Sequence, residues 1–101
     1  MEISFRDNKI KKQVAKKVRS NNIANRRLTQ LKNAICFTDI PASAKAHFLQ
    51  GNLKNCFAVD FDYPARLICE PAEEFRKDGN GQFIKESITA LEILEIKKDY
   101  H

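Results

Sequence analysis

Phe57-Ala58-Val59-Asp60-Phe61-Asp62-Tyr63-Pro64-Ala65-Arg66-Leu67-Ile68-Cys69 is the stretch on which the fold turns. In its first five residues the large apolar side chains alternate, the period of a strand with one buried face. Asp62-Tyr63-Pro64 supplies a turn. Ala65 to Cys69 then predicts a second strand, with Leu67 and Cys69 on one face and Arg66 and Ile68 on the other. Pro71 stops it. Residues 72–87 are polar and carry Asp78-Gly79-Asn80-Gly81, which predicts an exposed loop or hairpin tip. From Ile88 to Ile96 both faces are apolar, Leu91 and Ile93 against Ala90, Leu94 and Ile96, as expected of a central strand.

Upstream of this sheet signal the period changes. Ile3 and Phe5 flank Ser4 in a short alternating run that reads as a first strand. Asp7 or Asn8 can cap a helix in which Ile10, Val14 and Val18 form one stripe among lysines. Ser20-Asn21-Asn22 breaks it, and Asn21 or Asn22 can cap a second helix with Ala24, Leu28, Leu31 and Ile35 along one side. So short a break makes the two helices an antiparallel hairpin. Pro41 closes the helical half. The expectation is one α+β domain over residues 1–101, an N-terminal strand and a two-helix hairpin packed on a mostly antiparallel sheet of about four strands.

The chain's 101 residues carry 18 Lys+Arg against 13 Asp+Glu, a net of +5, and 43% are hydrophobic. That is enough for one core without disulfides or metal. Charge is unevenly spread: residues 1–35 hold ten basic and two acidic side chains, residues 36–101 eight and eleven. Such a basic third points to a polyanionic partner, or to nothing more than a solvated helix surface. No apolar run reaches membrane-spanning length and the first residues lack a secretory layout, so no membrane association is expected. Cys36, Cys56 and Cys69 form no C-x-x-C pair and each adjoins apolar residues, so all three read as small buried hydrophobes in a reducing cytoplasm.

His47 and His101 are not at ligand spacing from each other or from any Cys, so no metal and no cofactor are expected. No phosphate-cradling glycine loop or serine nucleophile elbow is present. What remains is His47, Gln50, Lys54, Arg66 and the ending Asp99-Tyr100-His101. This set suits cleavage of a phosphodiester by the adjacent 2′-hydroxyl, which needs a base, an acid and fixed positive charge at phosphorus. Plainer readings stand beside it. Arg66 can pair with Glu70 or with an acid on another strand, His47 can be a hydrogen-bonded structural residue, and the ending can be a frayed tail.

The segments His47 to Val59, Tyr63 to Pro71 and Ile93 to His101 resemble the HigB-type toxins of the RelE/ParE superfamily, the plasmid maintenance system killer proteins of bacterial type II toxin–antitoxin modules. With the helical hairpin the likeness spans nearly the whole chain. Departures are Gln50 where the family often has Lys, Asn55 for the second loop glycine, and Ala65 for the aromatic before the arginine. Two lysines also precede Asp99 where one residue is usual, a spacing from which a bulge that displaces the terminal triplet is expected.

The resemblance implies a RelE-like fold and a metal-independent, ribosome-dependent mRNA endoribonuclease. It is silenced by a cognate helix-turn-helix antitoxin in a hetero-oligomer. Arg66, Tyr100, Asp99, His101 and His47 are then the catalytic set. Lys54, Gln50, Lys97, Lys98, Lys12 and Lys16 are the RNA-binding set, with ribosome and mRNA as partners. The superfamily also holds gyrase poisons without ribonuclease chemistry, and a weak or inactive toxin acting through antitoxin-linked autoregulation is a further alternative.

Overall fold

Asp7 sets the start of the first helix. Its Oδ1 accepts the Ile10 amide at 2.9 Å, satisfying one of the donors that a helix start leaves open. The computed structural model describes residues 1–98. Strand β1 is Glu2–Phe5, α1 is Asn8–Ser20 and α2 is Asn22–Asn33. Asn21 alone separates the helices, and its Oδ1 caps the second by accepting the Ala24 amide at 3.0 Å. The first-turn stripe of α1 (Ile10, Val14) and that of α2 (Ala24, Leu28, Leu31) are buried in one core.

Ile35 corrects the expected second stripe: it is 78% exposed. Helix α2 stops at Asn33 because Ala34 turns to an extended conformation, so the helical period no longer carries Ile35 inward. Ala34 and Phe37 are buried instead. Cys36, beside them, is half-exposed, and its Sγ lies 3.0 Å from Thr38 Oγ1. Cys56 and Cys69 are buried as expected.

The sheet is completed by β2 (His47–Phe48), β3 (Phe57–Asp60), β4 (Arg66–Pro71) and β5 (Ala90–Lys97), in the order β1-β5-β4-β3-β2. Only β1 against β5 is parallel; every other pairing is antiparallel. The chain is thus α+β, with an N-terminal strand, two helices and a mostly antiparallel sheet, as the RelE-like description has it. The fifth strand is the two-residue β2, too short to show a period. Within 72–89, Lys77 bridges Phe83 across a hairpin whose tip is tied by Asp78 and turned by Gly81 at φ +79°, a left-handed conformation suited to glycine.

Two further expectations change. Strand β3 is buried on both sides, since residues 49–56 fold back over the face away from the helices. Cys56, Ala58 and Ile68 form a small second cluster there, flanked by Leu49, Leu53 and Leu94. Ile96 does not share a face with Leu94. The β4–β5 register passes from Cys69↔Ile93 to Ile68↔Glu95, leaving Leu94 as an extra residue. That bulge inverts the alternation beyond it, so Ile96 joins the main core and Lys97 falls opposite Arg66. Among the described residues no helix is long and apolar enough to cross a membrane.

Candidate functional site

Arg66 opens β4 and stands across from Asp60 of β3 and Lys97 of β5. Cross-strand partners share a face, so all three lie on the side of the sheet away from the helices. Arg66 Nε is 3.2 Å from Asp60 Oδ1, with the guanidinium side chain 20% and the carboxylate side chain 9% exposed. Of the plainer possibilities for Arg66, the acid on another strand is therefore realised; it is Asp60, not Glu70. A planar fork with one side held by a buried carboxylate has a fixed direction, which a mobile surface arginine lacks.

Lys98 turns to the opposite side of the same sheet end. It lines a groove of about 380 Å³ with Ile96 and, from α1, Gln13, Lys16, Lys17 and Ser20. Lys17 is ion-paired with Asp62 Oδ2 at 2.8 Å, which also receives the Asn21 amide nitrogen at 3.5 Å. These two contacts tie the helices to the β3–β4 turn. Among the described residues Lys16 and Lys98 have no such acid. Lys12 lies exposed one turn before Lys16 on α1. Of the predicted residues, Arg66 and Lys97 thus share one side of this sheet end and Lys98 and Lys16 the other, with Lys12 outside the groove's lining.

His47 sits elsewhere. It pairs with Ala58, which pairs with Ile68, placing it on the same face as Arg66 but two strands and two residues away, roughly 12 Å between Cα positions. The ring is exposed, and its Nδ1 lies 2.8 Å from the Lys45 carbonyl. A neutral ring donating there leaves Nε2 as an acceptor facing solvent, the arrangement a proton-taking group needs. Gln50 and Lys54 are exposed in the 49–56 segment. Lys54 faces a different cleft, described below. Asp99, Tyr100 and His101 lie outside the described residues.

The electrostatics of this face are divided. Glu70 stands directly opposite Glu92, and Glu95 is level with Ile68, so the middle of β4 and β5 is acidic. The effect reaches Cys56, whose thiol is pushed up first by burial and then by Glu70 and Glu95. Burial also pushes Cys69 far up, so neither thiol is a nucleophile at neutral pH. At the far edge Glu73 is raised by the hydrogen bond its protonated carboxyl donates to Glu2 and by the charge of Glu2. Along β4 and β5 on this face, an incoming phosphate is therefore favoured at the Arg66–Lys97 end.

A second cationic region lies at the β2 edge. Phe48, Lys54, Lys77, Phe83 and Lys85 line a cleft of about 500 Å³. Sequence reading passed over Lys77, Lys85 and both rings, because residues 72–87 gave only a polar-loop signal. It also gave no reason to single out Asp60; an acid one β-hairpin away from an arginine was the available cue. Among the described residues no group of three or more His, Cys, Asp or Glu is placed to hold a metal. No family model, curated protein or solved structure matches the chain.

Proposed function

We propose that the chain is the toxin of a bacterial type II toxin–antitoxin module, a metal-independent endoribonuclease that cuts translated mRNA on the ribosome. The observation that carries this reading is the setting of Arg66, half-buried at a sheet end, oriented by Asp60, with Lys97 opposite. In the reaction the RNA's own 2′-oxygen attacks phosphorus and the bond to the 5′-oxygen breaks. Arg66 meets the charge that develops on the phosphorane oxygens. Asp60 positions it, and Lys97, Lys98, Lys16 and Lys12 draw in the strand.

By resemblance, Tyr100 stacks on a base or assists at the 2′-oxygen, His101 or His47 moves the protons, and Asp99 matches the other member of the terminal pair implicated in cleavage. A helix-turn-helix antitoxin in the same cytoplasm is the tight partner. The test is inducible expression with mapping of mRNA 5′ ends. Wild type arrests growth and cuts mRNA; Arg66→Ala does neither while still binding the antitoxin. Full toxicity of Arg66→Ala sinks the site assignment, and DNA damage without mRNA cleavage assigns the chain to the gyrase poisons.

Asp60 also favours a second reading. A guanidinium already facing a carboxylate has less charge to offer phosphate, as suits an inert toxin-shaped protein retained for repressor assembly with its antitoxin. Unchanged growth on expression without antitoxin selects it.

A further inference from the structure

Phe37, Phe48 and Phe83 form a column, with centroids 5.0 and 4.9 Å apart and planes tilted by 28° and 15°. Phe48 is enclosed between its neighbours. Phe83 closes the column; Phe75 packs against it, tilted by 53° with centroids 5.4 Å apart, and Lys77 Nζ stands 4.8 Å from its centroid. Their pairing across the hairpin puts both on one side of it. Lys85 Nζ stands 5.9 Å from the Phe37 centroid at the other end of the column, and Lys54 also lines the cleft.

Three lysines therefore line one cleft, and among the described residues none has a carboxylate within salt-bridge distance. Asp78, next to Lys77, is engaged by the amides of Asn80 and Gln82 at 2.9 and 3.0 Å. Core packing accounts for Phe37 and Phe48. It does not account for three uncompensated lysines lining one cleft beside the column. Positive charge beside a stacking ring is how single-stranded nucleic acid is held without sequence preference. A cleft of about 500 Å³ is of small-ligand size.

We infer that this cleft binds one nucleotide of a single-stranded RNA. The base lies on Phe83 where Lys77 now rests, and Lys77 swings to the phosphate with Lys54 and Lys85. The inference shares its RNA partner with the function proposed above, but none of the groups around Arg66.

The chain has no tryptophan, so Phe83→Trp installs a single reporter at the end of the column. It is titrated with 2′-O-methyl hexa-adenylate, which lacks the attacking hydroxyl and cannot be cut. The expected result is saturable quenching by the oligonucleotide and none by inorganic polyphosphate. Quenching by AMP at a similar concentration assigns the same chemistry to a free nucleotide and overturns the strand assignment. No quenching by the oligonucleotide, or equal quenching by polyphosphate, overturns the site.

Wild-type protein carries the second arm, read as anisotropy of the same oligonucleotide labelled at its 3′ end. Lys77→Ala alone and Lys54→Ala with Lys85→Ala should each weaken binding several-fold. The salt dependence should fall by about 0.7 in log–log slope per lysine removed. An unchanged slope refutes the cleft even if Phe83→Trp does not fold. Quenching without mRNA cleavage in cells retires the nuclease and keeps the cleft; cleavage without quenching does the reverse.

Discussion

On the side of the sheet under the helices, Leu67, Cys69, Leu91 and Ile93 are fully buried and meet Val14, Leu28 and Leu31. On the other side the same two strands present Arg66, Ile68, Glu70, Glu92 and Glu95, with only a small apolar cluster under residues 49–56. Alternation within β4 and β5 thus sends four of the six large aliphatic side chains one way and the charge the other. The first side holds the fold together. The second accepts like charges directly opposite one another, Glu70 and Glu92, which stability alone disfavours. A surface that tolerates such a pair is where selection for something other than stability can act.

Truncation on the two sides should expose that difference most plainly. Leu91→Ala should cost about 3 kcal/mol and the half-buried Leu94→Ala about 1 kcal/mol, read from urea unfolding midpoints. Equal costs would mean that the second cluster is as structural as the first. Next in size is the ion pair at the sheet end. Arg66→Ala strips Asp60 of its cation and should cost about 2 kcal/mol, less than a fully enclosed pair because the arginine keeps contact with water. Asp60→Asn added to Arg66→Ala should recover much of it. No recovery would show that the carboxylate has no need of the guanidinium.

Asn21→Ala should cost about 1 kcal/mol through the lost cap of α2, with a smaller part from Asp62. Smallest are two opposed pH effects at exposed carboxylates. The amide of Ile10 holds Asp7 below the usual carboxylate range, so its contribution is present above that range and is lost as pH falls. Glu2 holds Glu73 above the range, so its contribution is present at low pH and is lost as pH rises through the raised value. Glu73→Gln should flatten the second slope and leave the first, measured as unfolding midpoints between about pH 3 and pH 7.

Features set by local periods were legible in the chain. The stripes of Ile10, Val14, Leu28 and Leu31, the turn at Asp62-Tyr63-Pro64 and the tip at Asp78-Gly79-Asn80-Gly81 all depend on neighbours within a few residues. What depends on distant register was not. Arg66 was open to an acid on another strand, but Asp60 became its partner only through the pairing of β3 with β4. The β2 strand has too few residues for alternation to appear. Lys77 and Lys85 looked like ordinary loop lysines, since their meeting with Phe83 and Lys54 requires two segments far apart in sequence to fold onto one edge.

One surplus residue in β5 decides which compartment each final lysine enters. With Leu94 looped out of the ladder, Lys97 joins the guanidinium on the bare side and Lys98 dips toward α1. Were the ladder continuous, that assignment would be exchanged: the first lysine would sink beneath the helices and the second would stand beside Arg66. Deleting Leu94 would therefore leave Lys97 opposite Arg66, whereas taking Leu94 into the ladder would shift the cationic rim between two sides of the molecule without altering any ionisable group.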